Sequence, residues 1–120
     1  MIEVLCKYRW NDGVREKFQL EGTEDWVVVV ELFGDSGGGY EWSEFKAFYS
    51  PAARRYFWFG DGGCSCNGWG DYLDLAMFEN GSREDLTRAW RKFTEENKID
   101  FTATHYFDGV QEIRKFEEPK

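Results

Sequence analysis

The chain contains one histidine, three cysteines and two prolines among its 120 residues. A lone histidine, His105, excludes paired-imidazole arrangements of the HxH or HxxxH kind. An odd number of cysteines, with Cys64 and Cys66 one residue apart, does not build a disulfide framework and fits a reducing compartment. Positive charge is scarce as well: 15 Lys and Arg stand against 23 Asp and Glu, a formal net charge of −8. A protein held on nucleic acid by phosphate contacts needs the opposite balance, so no direct nucleic-acid partner is expected. No apolar run approaches the ~20 residues that span a bilayer, and the longest, residues 26–30, is strand-sized. Met1-Ile2-Glu3 opens into an alternating pattern rather than a basic region and an apolar run, so neither a secretory leader nor a membrane partner is expected.

What the chain has in excess is rings. Eleven Phe, six Trp and six Tyr make up 19% of it, enough to build the core of one 120-residue domain from few side chains. Rings left exposed would form a binding patch. The acidic balance suits solubility, and it also suits docking on a basic surface.

Periodicity organises the chain into strands and one helix. Ile2, Val4, Cys6, Tyr8 and Trp10 alternate with Glu3, Leu5, Lys7 and Arg9, a period of two marred only by Leu5, Asn11-Asp12-Gly13 is turn chemistry, and Val14, Phe18 and Leu20 resume the alternation. Residues 2–21 are therefore a predicted β-hairpin. The β-branched, doubly apolar run from Trp26 through Phe33 predicts a central strand buried on both sides. Residues 40–49 are a further strand whose apolar parity switches between Trp42 and Phe45, as a bulge would cause. Ser50-Pro51-Ala52-Ala53 turns the chain into the aromatic strand 54–59. Residues 71–78 read as a helical turn or irregular chain. Ser82 opens a helix over about 82–97, with Glu84 and Asp85 in its first turn and Leu86, Ala89, Trp90 and Phe93 forming one apolar stripe. Alternation over 99–107, Asp108-Gly109 and a returning run to Phe116 predict a closing hairpin. The expected fold is α+β: an antiparallel sheet of about six or seven strands with one main amphipathic helix on one face.

The least ordinary stretch is 60–71, GDGGCSCNGWGD. Thiolates at Cys64 and Cys66 could share one zinc ion with Cys6 and His105, a Cys3His set. The one-residue spacing is shorter than the usual two to four, and Cys6 and His105 fall on apolar faces, so no metal is expected. Asp61, Ser65, Asn67 and Asp71 offer oxygen atoms, but their spacing is not that of an EF-hand. The glycine-rich loop 34–39 lacks the Lys-Ser/Thr pair of a phosphate-binding loop. No cofactor is implied. The glycines instead allow a compact Ω-like loop, with Cys64, Cys66 and Trp69 as inward plugs and Asp61, Ser65 and Asn67 outside.

The run Glu41-Trp42 through Phe45, then Tyr56-Phe57-Trp58, then Asp61-Gly62-Gly63-Cys64-Ser65-Cys66 resembles a family of small proteins of actinobacterial viruses. In that family an aromatic strand precedes a D-x-G-C-S-C segment, and a Leu-x-x-Leu helix follows. The resemblance covers residues 42–93, and this chain departs from it with Asn67-Gly68-Trp69 where a proline-containing segment is common. It implies a bacteriophage accessory protein working in the host-cell cytoplasm, and no reaction. The expected function is non-catalytic binding of a host protein through Asp61, Ser65, Asn67, Trp69 and Asp71. The competing readings are a small hydrolase or ligand-binding enzyme built on Asp61 and His105, and a zinc-stapled module.

Overall fold

The computed structural model describes residues 6–11, 14–35, 41–64, 74–96 and 103–119, with side chains at 20–32, 43–62, 74–96 and 109–119. The first hairpin forms as expected, from β1 (Cys6–Asn11) and β2 (Val14–Gln19). Its register places Tyr8 opposite Lys17, Trp10 opposite Arg15 and Phe18 opposite Lys7.

Four more strands make a separate antiparallel sheet: β3 (Val27–Asp35), β4 (Glu41–Ser50), β5 (Arg55–Cys64) and the short β6 (Glu79–Gly81), in that order. The α+β class holds, but the described strands divide as two and four rather than forming one sheet of six or seven. The valine strand is at the edge, not the centre: Val28 is 39% exposed, while the buried middle belongs to the aromatic strands β4 and β5. The bulge lies on β3 as well. Val28 pairs with Phe48 and Val30 with Ala47, so Val29 is the extra residue, whereas β4 keeps one unbroken register against β5. The parity switch read in β4 comes from a strand covered on both faces, with Phe45, Ala47 and Tyr49 on one and Phe48 on the other.

Ser82 caps α1 (Arg83–Glu96). Its hydroxyl accepts from the Asp85 amide at 3.1 Å, and the Asp85 carboxylate accepts from the Ser82 amide at 3.0 Å. These bonds, with Arg88 beside it, hold the Asp85 carboxyl below its ordinary pKa. Leu86 and Trp90 of the expected stripe are buried against the sheet, with the ring of Phe45 edge-on to Trp90 at 5.4 Å.

The closing hairpin is corrected to a second helix, α2 (Ala103–Lys115). Gly109 is no turn residue: a Cβ there would overlap the indole of Trp90, so glycine is what lets the two helices touch. Val110 and Ile113, three residues apart, are buried beneath α2. Arg83 then clasps the end of α2, donating to the Ile113 and Arg114 carbonyls at 2.9 and 3.0 Å and to Glu118 at 3.2 Å. Glu118 accepts the Tyr56 hydroxyl at 2.7 Å, and that bond, reinforced by Arg83, lowers the Glu118 pKa. Burial, helped by the same bond, pushes the Tyr56 phenol above its usual range.

The opposite face carries a smaller cluster of Leu20, Trp26, Phe48 and Phe78, with Phe57 and Phe59 at its margin. Trp26 stacks on Phe57 at 4.5 Å and meets Phe78 edge-on at 5.0 Å. The segment carrying Leu20 and Trp26 is clipped down by Asp25, whose Oδ2 accepts from the Ser50 hydroxyl at 2.8 Å and the Ala52 amide at 2.9 Å. Partial desolvation raises the Asp25 pKa, but these bonds outweigh it and the net shift is downward.

Candidate functional site

β5 does not stop at Phe59. It runs on through Gly60, Asp61, Gly62 and Gly63 to Cys64, paired residue by residue with Phe45 back to Glu41. The first five residues of the expected compact loop are therefore strand, because glycines accept the pleat beside β4, which pairs each of them in turn. Gly60 has a packing reason: a Cβ at this position would stand 2.6 Å from the Phe93 ring. Ser65, Cys66, Asn67, Trp69 and Asp71 lie outside the described residues.

Alternation along β5 fixes where Asp61 points. Tyr56 and Trp58 belong to the helix-covered core and Phe57 and Phe59 to the opposite cluster, so Asp61 follows Phe59 onto the face opposite α1 and α2. It is half-buried, and one carboxylate oxygen accepts the Gly62 amide at 2.8 Å. Its ladder partner across the strand is Glu44. One row along, Lys46 lies between Glu31 and Phe59. Three carboxylates from three adjacent strands, Glu31, Glu44 and Asp61, thus share one end of one sheet face with a single lysine among the described side chains.

The electrostatics of this strip are unfavourable to the isolated chain. Opposed like charges in an antiparallel ladder destabilise it. Burial pushes the Glu44 pKa up, Lys46 at 3.7 Å works against that rise, and Glu31 adds to it. Lys46 therefore leaves the strip with excess negative charge.

On the helix-covered side, where the pairing of β6 with β5 stops at Trp58, a groove of about 300 Å³ opens between α1 and the β5 edge. Trp58, Phe59 and Phe93 form its walls, and Glu79, Lys92 and Glu96 line it with charge. The Trp58 indole N–H donates to Glu79 at 2.9 Å. Sequence reading missed β6, because Glu79-Asn80-Gly81 looks like a terminating turn, and with it this groove. The signal was Trp58 itself: a buried indole needs an acceptor nearby.

His105 is in the first turn of α2 rather than on a strand, Cys6 is in β1 and Cys64 ends β5. No group of three His, Cys, Asp or Glu that could hold a metal occurs among the described residues. One further motif, Gly34-Asp35-Ser36-Gly37-Gly38, has G-x-S-x-G spacing. That motif presents a nucleophile only in a strand–turn–helix context. Here its first two residues, Gly34 and Asp35, are the end of β3, paired with Ser43 and Trp42, and Ser36, Gly37 and Gly38 lie outside the described residues. No described helix is long and apolar enough to cross a membrane. A family model described as a domain of unknown function, DUF7574, matches residues 23–119, leaving the first hairpin outside. No curated protein and no solved structure matches the chain.

Proposed function

We propose that this chain, which belongs to the DUF7574 family, is an acidic accessory protein that binds another protein without catalysis. The observation that carries the reading is the strip of Glu31, Glu44 and Asp61, with Glu44 desolvated and Lys46 the one described lysine set against the three carboxylates. A local arrangement that works against the fold's own stability is expected where a partner relieves it. A basic surface of the partner supplies the missing counter-charge, and the net charge of −8 steers such a surface toward the strip. The resemblance to actinobacterial viral proteins supplies the setting: a bacteriophage product acting on a host protein in the host cytoplasm. Ser65, Asn67, Trp69 and Asp71 extend the contact beyond Asp61 in this reading, with Trp69 as its aromatic anchor.

A tagged chain incubated with actinobacterial lysate should retain one discrete protein that salt releases. Asp61→Ala combined with Trp69→Ala, or Glu31→Lys combined with Asp61→Lys, should abolish retention while the circular dichroism spectrum stays unchanged. Retention that survives both pairs moves the site elsewhere and defeats the proposal.

A further inference from the structure

Resting on that reading, we infer that the groove between α1 and the β5–β6 edge is an anchor pocket for one arginine side chain of the bound protein. Its volume of about 300 Å³ is at the lower end of small-molecule sites, which suits a single long side chain better than an independent ligand. Its chemistry selects a cation. Phe59 and Phe93 are half-buried ring walls, and carboxylates of Glu79 and Glu96 stand at the mouth. The Trp58 indole fixes Glu79 by its 2.9 Å hydrogen bond, so one carboxylate is positioned before the guest arrives. Glu96 lies in the last turn of α1, where the helix dipole adds negative potential.

The described lining contains one cation, Lys92, and it is a weak competitor. Its ammonium sits 3.9 Å from Glu96, and the two side chains are 75% and 63% exposed. An exposed pair of this kind holds little energy and yields to a better donor. A guanidinium is that donor, because it stacks flat on rings while forking two N–H groups to a carboxylate, which an ammonium does not do. Gly60 sets the width of the pocket by allowing α1 to approach β5 through Phe93. The strip lies on the opposite face of the sheet, and Phe59, which pairs with Lys46 and also lines the groove, links the two around the β5 edge, so one basic segment can cross that edge from the strip and insert its arginine here.

The test is a titration of the full-length, nitrogen-15-labelled chain with capped pentapeptides carrying a central arginine, citrulline, norleucine or glutamate among glycines. The arginine peptide should shift the Trp58 indole N–H and the Gly60 and Phe93 amides saturably, and the other three should not. Glu79→Gln should weaken binding roughly fivefold, the loss of one charged contact to a stacked cation. Lys92→Ala should tighten it about twofold by removing the resident cation. Equal shifts from norleucine, weaker binding in Lys92→Ala, or no shift from arginine overturns the pocket. Such a failure with partner capture still sensitive to Asp61 leaves the acidic-strip reading standing. If instead arginine binds but the chain captures no protein, the premise of a protein partner fails and the anchor assignment falls with it.

Discussion

The two faces of the sheet solve the same problem with unequal means. One face is covered by two helices, and twelve buried residues among those described, from β3, β4, β5, α1 and α2, form a continuous core there. Among the described residues the other buries four, with Leu20 and Trp26 of a short clipped segment lying on Phe48 and Phe78, then gives way to the charged strip. Stability is concentrated where helices cover the sheet, and unfavourable charge is confined to the face where little packing depends on it. A binding surface is easiest to maintain on the second kind of face, since changes there disturb few buried contacts.

The largest test of this contrast is Trp90→Ala, which removes the ring on which both helices and Phe45 converge. It should cost about 3–5 kcal/mol in urea unfolding. Gly109→Ala should cost about 1–3 kcal/mol by driving α2 off the same ring, and combining the two changes should cost less than their sum. On the thin face, a double-mutant cycle of Trp26→Leu and Phe57→Leu should return a coupling of only about 0.5–1.5 kcal/mol. Asp25→Ala unclips that face's lid and should cost about 1–2 kcal/mol, read as a lower urea midpoint. A coupling or lid effect as large as that of Trp90 would break the comparison.

A smaller, signed effect separates the faces by pH. Glu118, fastened to the helix-covered side, has a lowered folded pKa. Its contribution is present above the unfolded value of 4.5 and is lost as pH falls through the folded value. Glu44, on the other face, has a raised folded pKa, so it binds its proton more tightly when folded. Stability from Glu44 is therefore lost as pH rises from 4.5 through the folded value. Melting temperature against pH should show Glu118→Gln flattening the acid limb and Glu44→Gln removing the opposing slope. Smallest of all, Arg54 holds φ at +55° in the β4–β5 turn, and Arg54→Gly should change stability by less than about 1 kcal/mol in either direction.

The hairpin of β1 and β2, α1 with its cap at Ser82 and the turn at 50–53 were legible because each rests on local chemistry: turn residues, a capping hydroxyl, a 3.6-residue stripe. α2 was not. Its apolar residues also alternate, and Asp108-Gly109 is turn chemistry in isolation, so only the Trp90 ring across the fold reveals what the glycine is for. The position of β3 was misread for a related reason, since four valines describe a buried surface but not a place in the sheet. Asp61 was identified from its neighbourhood of glycines and cysteines. Its ladder partner Glu44, and the groove behind Trp58, depend on pairings that no local window contains.

The clasp at Tyr56 has a consequence for how the chain is made. Tyr56 and Glu118 are 62 positions apart, and Arg83 needs the carbonyls of α2 before it can close over them. During synthesis the four-stranded sheet and α1 emerge first, with the surface that α2 will cover still open. Closure cannot precede the synthesis of α2, and until then a nascent chain presents its ring-rich interior to whatever chaperone is near.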